Sequence, residues 1–127
     1  MSKIQKTDHF YLIDGSGIIT TLATPTYVPA DTVTDTRFSP NGQEIAVIEG
    51  DDLVIVDAST APFSEVERYD LGALFLKKCV EWDITGSRLF VGRTDGILII
   101  DRATMTLQKR IVPHPSTTDI TDIIYFE

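Results

Sequence analysis

The sequence has 127 residues, of which 43% are hydrophobic and 24% are charged, and its formal net charge at pH 7 is −8. This apolar content excludes an intrinsically disordered chain. The excess of acidic residues argues against a nucleic-acid partner, because phosphate binding needs clustered Lys and Arg.

The N-terminus, MSKIQKTDHFYLIDGSG, has no long apolar core, so we predict no secretory signal. No apolar run approaches the roughly 20 residues of a membrane helix, so we expect no membrane partner. We therefore expect a soluble protein that is made in the cytoplasm and can later join a larger particle. The single cysteine, Cys79, excludes an internal disulfide, and its place in a predicted strand favours a small hydrophobe over a reactive thiol.

The first 33 residues predict short strands followed by a loop. Residues 3–7, 10–14 and 18–22 carry the apolar and β-branched residues typical of strands. Residues 24–33, TPTYVPADTV, contain two prolines and predict a loop. The glycine-rich DGSG at residues 14–17 links two strands and opens no helix, so we interpret it as a hairpin turn rather than a phosphate-binding loop.

The next segment predicts four strands separated by turns. Its first strand ends at Phe38, and SPNG at residues 39–42 indicates a turn, because Pro presets φ and Gly follows at no steric cost. The second and third strands, Glu44–Glu49 and 53–56, are apolar almost throughout, which indicates burial on both faces. A weaker fourth strand is predicted over residues 65–71.

A helix over residues 64–82 is the alternative for the end of this segment. Ser64 and Glu67 have the spacing of a capping box, and the apolar residues that follow can share one helical face. Gly72 in the middle of the stretch favours strands instead.

The same pattern returns 44 residues later. Residues 82–101, WDITGSRLFVGRTDGILIID, align without a gap with residues 38–57, FSPNGQEIAVIEGDDLVIVD. The alignment predicts a strand ending at Trp82, a turn over 83–86 and strands over 88–92, 96–100 and 105–111. After a Pro-His-Pro loop, residues 122–126, DIIYF, predict the first strand of another repeat. An offset of 43 places residues 10–14 on residues 53–57.

Two segments, FSPNGQEIAVIEGDDLVIVDAST and WDITGSRLFVGRTDGILIIDRAT, resemble blades of the WD-repeat and YVTN-type β-propeller families. The resemblance rests on the turn-strand-turn-strand pattern and a period of ~40–45 residues, and it covers nearly the whole chain. The third strands end in Val-Asp or Ile-Asp where WD repeats have Trp-Asp, and no Gly-His pair precedes the first strands. The resemblance implies an all-β fold of four-stranded blades.

With the strands of a blade named A to D, the chain is predicted to contain B-C-D, A-B-C-D, A-B-C-D and A. The corresponding blade pieces of this single domain are residues 1–24, 33–72, 76–113 and 120–127. Propellers of these families close with 4–8 blades. We therefore expect two chains to form a six-bladed homodimer, in which residues 120–127 complete a blade of the neighbouring chain. Other ring sizes and docking on a larger structural partner are the alternatives.

Three carboxylates, Asp14, Asp57 and Asp101, recur at equivalent positions. A catalytic site needs one particular constellation, whereas a turn needs the same residue in every repeat. We therefore predict that these side chains bond to turn backbone.

No candidate metal or cofactor site emerges from the remaining polar residues. The pairs Asp51-Asp52 and Asp95-Gly96 lie at matching turns and could offer oxygens to Ca²⁺, but no calcium-loop spacing is present, which favours solvated turns. His9 and His114 have no Cys or His at metal-ligand spacing. We predict no catalytic, cofactor-binding or metal-binding residues.

The first strands contain one constant and one variable position. The constant position is aromatic and is predicted to anchor each strand: Phe38, Trp82 and Phe126. The variable position holds Arg37, Glu81 and Tyr125, with Asp35, Cys79 and Ile123 as the neighbours on the same side. Variation of this kind is where a ring would place a ligand near its axis.

No Gly-x-Ser-x-Gly elbow, Walker loop or dinucleotide fingerprint is present, and the short turns leave little loop from which to build a pocket. We therefore expect a non-enzymatic structural or protein-interaction module that self-assembles. Phage proteins with FSPNG-like blades extend this expectation, by analogy, to a virion decoration or tail protein. A ligand-, glycan- or metal-binding propeller and a cellular scaffold protein are the alternatives.

Overall fold

The computed structural model describes residues 11–13, 19–21, 27, 29–60, 63–112 and 123, and every regular element within these ranges is a β-strand. The strands are β1 (Tyr11–Ile13), β2 (Ile19–Thr21), β3 (Val33–Phe38), β4 (Glu44–Glu49), β5 (Asp52–Asp57), β6 (Ser64–Asp70), β7 (Lys77–Trp82), β8 (Arg88–Arg93), β9 (Gly96–Asp101) and β10 (Thr106–Ile111).

The ten strands form three antiparallel sheets. Strands β1 and β2 make a hairpin, β3-β4-β5-β6 make a four-stranded meander, and β7-β8-β9-β10 make a second one. We call the two meanders the first and second sheets. The predicted all-β class is confirmed for the described residues. Strands β6 and β7 occupy the stretch for which a helix was the alternative, so the strand prediction is confirmed there too.

The strand predictions between residues 33 and 111 match the structure to within about two residues at each end. The two first strands, β3 and β7, also share an irregularity, since each has a register shift after its first residue at positions 44 residues apart. The predicted strands over residues 3–7 and 122–126 lie outside the described residues, except for Ile123, which belongs to no described strand.

The first sheet is buried on both faces, as the apolar runs in β4 and β5 predict. One face packs against the second sheet through a cluster that includes Ala46 and Ile55, both fully buried. The opposite face carries Val47 and packs against Tyr27 and Phe63. Both faces of the first sheet are therefore covered, which explains why its central strands show no polar alternation.

The second sheet contributes Trp82 to the shared core, and this residue is only 4% exposed. Its indole Nε1 donates a hydrogen bond to the carbonyl oxygen of Arg37 at 3.0 Å. Phe38 occupies the equivalent position in the first sheet but is 53% exposed. The prediction of an aromatic anchor is thus confirmed for Trp82 and wrong for Phe38. The cause is that Phe38 lies on the face covered by Tyr27 and Phe63, which do not enclose it. Phe126 lies outside the described residues.

Candidate functional site

The recurrent aspartates hold turns together. Asp57 Oδ1 accepts hydrogen bonds from the Ser59 hydroxyl at 2.6 Å and the Ser59 amide at 2.9 Å. Asp101 Oδ2 accepts the same pair from Thr104, at 2.7 and 3.0 Å. The hydroxyl donor, followed by the amide donor, lowers the pKa of each carboxyl below its usual range. The predicted backbone bonding is confirmed for these two residues, and Asp14 lies outside the described residues.

The turns that follow the two first strands share one backbone form. The Gly42 amide donates to the Ser39 carbonyl at 2.8 Å, and the Gly86 amide donates to the Asp83 carbonyl at 3.1 Å. Both glycines have positive φ, 73° and 77°, which glycine adopts without steric cost. The predicted turn at residues 39–42 is therefore confirmed, and so is its repeat 44 residues later.

The second of these turns contains a buried carboxylate. Asp83 is 2% exposed and accepts hydrogen bonds from Thr85, Ser87 and Arg88. Burial by itself raises the pKa of Asp83, but the donors, led by Arg88, outweigh burial and lower the pKa to about 2. With this many hydrogen-bond donors, the carboxylate of Asp83 stays ionised and stabilises the turn.

The acidic residues at the β4–β5 and β8–β9 turns are engaged by arginines. Arg68 Nη1 donates to Asp52 at 2.8 Å, and Arg93 donates to both carboxylate oxygens of Asp95 at 2.6 Å. The hydrogen bond from Arg93 is the main cause that lowers the pKa of Asp95. Among the described residues, no three His, Cys, Asp or Glu side chains cluster closely enough to hold a metal ion. His9 and His114 lie outside these residues.

One buried polar contact was missed by the sequence reasoning. Glu49, 3% exposed, accepts hydrogen bonds from the Tyr27 hydroxyl at 2.6 Å, the Ala30 amide at 2.9 Å and Arg68 Nη2 at 3.4 Å. Burial, then the bond to Glu49, raises the pKa of Tyr27 far above its usual range. The sequence feature that could have indicated this contact is a glutamate at the end of an otherwise apolar strand. The contact fastens the loop before β3 to the end of β4.

The variable positions of the first strands lie where the two sheets meet. Asp35 Oδ2 accepts a hydrogen bond from the Val80 amide of β7 at 3.0 Å, and Arg37 Nη1 lies 3.3 Å from Asp35 Oδ1. Glu81 turns back on its own strand and accepts from the Trp82 amide. These residues join β3 to β7 and leave no set of side chains that converges on an empty site. Tyr125 lies outside the described residues.

A second polar link joins the two sheets through Arg102. Arg102, which follows β9, donates to both carboxylate oxygens of Glu44 at 2.9 and 2.7 Å and to Glu67 at 2.6 Å. The guanidinium is mostly buried, with 16% of the side chain exposed. The two sheets are thus fixed to each other by apolar packing, by the hydrogen bonds between β3 and β7, and by those of Arg102.

Equivalent faces of the two sheets differ in burial. Ala46 and Ile55, on the face of the first sheet that meets the second, are both 0% exposed. Their equivalents in the second sheet, Phe90 and Ile99, lie on its outward face and are only half-buried. The outward face of the second sheet is therefore equivalent to the face with which the first sheet packs at the junction. This outward face is less completely covered.

Comparisons with known proteins show a similar fold and indicate no function. No family model matches the chain, and a search of the curated proteins found no match. The fold is similar to the crystal structure of a functionally unknown protein from Desulfotomaculum acetoxidans DSM 771, with a TM-score of 0.59 and 15% sequence identity. The match covers 83% of this chain and 34% of that chain, so this chain spans about a third of its structural neighbour. None of the described residues belongs to a helix long and apolar enough to cross a membrane.

Proposed function

We propose that this chain is a non-enzymatic protein-interaction module, built of β-propeller blades and completed by association with a second copy. The observation that carries the proposal is the head-to-tail stacking of two repeats. The face of the first sheet with Ala46 and Ile55 packs on a different face of the second sheet, with Leu89 and Ile100. Such stacking does not close on itself after two units, so further units can be added at the outward face.

The placement of the strands supports propeller blades in particular. The first strands, β3 and β7, lie side by side and are joined by the bonds of Asp35 and Trp82, whereas the fourth strands, β6 and β10, are the outer edges. In a propeller the first strands of all blades surround the axis and the fourth strands form the rim. Six blades from two chains would continue this arrangement around a closed ring.

The outward face of the second sheet is the proposed contact. Phe90 and Ile99 repeat the positions of Ala46 and Ile55, and a sheet of the same repeat is what covers those positions within the chain. A second copy of the chain carries such a sheet, and two-fold assemblies are the commonest oligomers.

The non-enzymatic part of the proposal rests on the titratable groups that the fold already uses. Asp83, Asp95 and Glu49 are each held by several donors within 3.5 Å. Carboxylates held in this way brace turns and loops, whereas a catalytic carboxylate must face a substrate.

Light scattering on a size-exclusion column tests the assembly. We expect a mass of twice the 14.1 kDa chain. Ile99→Asp should lower the mass to that of one chain, because a carboxylate on the contact face must be desolvated. Val66→Asp is the matched control, since Val66 is 47% exposed on the outer strand β6, and this variant should keep the mass of wild type. A folded wild-type monomer at all concentrations would refute the assembly.

A narrower proposal is a place in a phage particle, which rests on the likeness of the turn at residues 38–42 to phage proteins. Mass spectrometry of purified virions tests it. We expect the chain in stoichiometric amounts in the particle, and its absence from virions but presence in the host cytoplasm would favour the cellular scaffold.

A further inference from the structure

The turn after the third strand of each sheet holds one residue at the same place. In the second sheet this residue is Arg102, whose amide donates to the Ser87 carbonyl at 2.9 Å. In the first sheet it is Ala58, whose amide donates to the Gln43 carbonyl at 2.9 Å. Donor and acceptor are each 44 residues apart in the two sheets, so Ala58 and Arg102 are equivalent.

At the junction of the two sheets this place is cationic and the facing sheet is acidic. The guanidinium of Arg102 donates to both carboxylate oxygens of Glu44 and to Glu67, at 2.6 to 2.9 Å. We call Glu44 and Glu67 the acidic pair. Only 16% of the Arg102 side chain is exposed, so its charge is balanced by the acidic pair and not by water. Opposite charges matched in this way determine which surfaces fit each other.

The outward face of the second sheet has a cation at the place of Glu44. This cation is Arg88, which pairs with Asp101 across β8 and β9. Glu44 holds the same register in the first sheet, where it pairs with Asp57 across β4 and β5. The Arg88 guanidinium lies 5.8 Å from the centre of the Phe90 ring, on the outward face.

A second cation, Lys109, takes the place of Glu67. Lys109 pairs with Ile99, and Glu67 pairs with Ile55, the equivalent isoleucine of the first sheet. Both strand pairs have a register shift beside this position, so the equivalence follows from the strand register and not from a fixed offset. Directly paired residues point to the same face of a sheet, so Lys109 shares the outward face with Ile99. We call Arg88 and Lys109 the basic pair.

The positive charge of the basic pair is only partly neutralised. Arg88 Nε lies 3.1 Å from a carboxylate oxygen of Asp83, which offsets the charge of the guanidinium. The ammonium group of Lys109 has no ion pair within the part of the chain that the structure describes, and this residue is exposed on the outer strand β10. Lys109 therefore supplies most of the charge that a partner on this face meets.

The basic pair disfavours a partner with a cation in the turn. A sheet stacked here as the second sheet stacks on the first, with an arginine in the place of Arg102, would bring its guanidinium against Arg88 and Lys109. Like charges in contact weaken an interface, and repulsion of this kind is a common source of specificity. A turn that contains a carboxylate and no cation fits this face instead.

Three turns of the chain are equivalent in sequence, and they differ in charge. Only the third contains a cation: residues 14–17 (DGSG), 57–60 (DAST) and 101–104 (DRAT). The second turn is engaged within the chain, since Ala58 packs against the cluster that includes Tyr27 and Phe63. The third is engaged at the junction through Arg102. The first turn therefore has the charge that the outward face requires.

We propose that the basic pair receives the N-terminal repeat of a second copy, with the turn at residues 14–17 in the place that Arg102 has at the junction. This inference rests on the proposed association of two chains at the outward face, and it specifies which part of the second copy lies there. Each chain carries one basic pair and one N-terminal turn, so two copies satisfy each other. The reversal of charge keeps other turns of the chain from this face.

A charge swap tests the proposal. Gly15 is the residue that aligns with Ala58 and Arg102, so Gly15→Arg places a cation opposite the basic pair. Gly15→Gln is the matched control, because it introduces a long neutral side chain and loses the same glycine. The dissociation constant of the dimer is measured for both variants by sedimentation equilibrium. We expect Gly15→Arg to dimerise about tenfold more weakly than Gly15→Gln, because like charges meet.

The substitution Lys109→Glu should reverse this order. It gives the outward face the carboxylate that Glu67 supplies at the junction. With Lys109→Glu present, Gly15→Arg should dimerise about tenfold more tightly than Gly15→Gln. Val66→Glu adds a carboxylate on the outer strand of the first sheet, where Val66 is 47% exposed, and with this control substitution Gly15→Arg should remain the weaker variant.

The outcomes separate this inference from the proposed function. A wild-type protein with the mass of one chain at all concentrations would refute both. A dimer in which Gly15→Arg and Gly15→Gln have equal dissociation constants, with and without Lys109→Glu, would overturn the place of the N-terminal turn and leave the assembly standing. An equal loss from Gly15→Arg with and without Lys109→Glu would overturn it as well, because the effect would then not involve the basic pair.

Discussion

The most direct test of the stacking compares one truncation at two equivalent positions. Ile55 is fully buried between the sheets, and Ile99, 44 residues later, is half-buried on the outward face. Truncation to Ala removes three carbon atoms, worth about 0.8 kcal/mol each when fully buried. A residual cavity adds to this cost, and measured losses for such changes span roughly 2–5 kcal/mol.

We expect Ile55→Ala to lower the free energy of unfolding by about 3.5 kcal/mol, since the rigid junction on both sides leaves a cavity. In a single chain that has not associated, water can enter the space at Ile99, so the cavity contribution disappears and the transfer contribution shrinks. We expect about 1.5 kcal/mol for Ile99→Ala. Ile55→Val, which removes a single methylene, should cost about 1 kcal/mol and verifies that the site responds to volume.

Urea denaturation followed by tryptophan fluorescence measures these differences, because Trp82 lies in the shared core. For a domain of this size, each kcal/mol corresponds to roughly 4 °C in Tm, so thermal melts give a second estimate. The comparison is made at protein concentrations where the mass is that of one chain, and equal losses at Ile55 and Ile99 there would refute the reasoning. They would mean that the outward face is packed as tightly as the junction within a single chain, and the proposed place for a second copy would be lost.

Three further predictions concern polar and reactive groups. The folded pKa of Asp83, about 2, is below its unfolded value, so its stabilisation is present above pH 4 and disappears as the pH falls towards 2. Asp83→Asn should lower the free energy of unfolding at pH 7 by about 2 kcal/mol, measured by urea denaturation. The stability of this variant should also fall less steeply than that of wild type as the pH is lowered towards 2. Arg102→Met should lower stability by about 1 kcal/mol, because Glu44 and Glu67 lose their partner, and Arg102→Lys should recover only part of this loss in the same assay. Buried Cys79 should react with a thiol reagent only as fast as the protein opens, and rapid reaction of the folded protein would contradict its position.

The strands and turns between residues 33 and 112 were predictable because their signals are local. Apolar runs define β4 and β5, and the glycines at positions 42 and 86 occupy positive φ that a side chain would resist. The bonding of Asp57 to Ser59 follows from the same local chemistry, because an Asp at a strand end reaches the amide two residues on.

The contacts between sheets were not predictable from the sequence. The bond from the Val80 amide to Asp35 and that from Tyr27 to Glu49 join residues 45 and 22 positions apart. No local pattern sets such a pairing, since it depends on how two sheets are placed on each other. Phe38 shows the same limit, because its apolar character was visible but the incomplete cover of its face was not.

The repeat separates what the four-stranded sheet requires from what this chain adds. Features present in both sheets, such as the glycine turns and the bonds from the Gly50 and Thr94 amides to the loops before β3 and β7, serve the four-stranded sheet itself. Features present in only one sheet need another cause. The exposed loop of the second sheet, between β6 and β7, belongs to this group, since the bond from the Thr94 amide to the Leu76 carbonyl is matched in the first sheet and the exposed leucines are not. A recognition function, if it resides in the described residues, should therefore follow the substitution of Leu74 and Leu76 and be insensitive to changes at the equivalent positions of the first repeat.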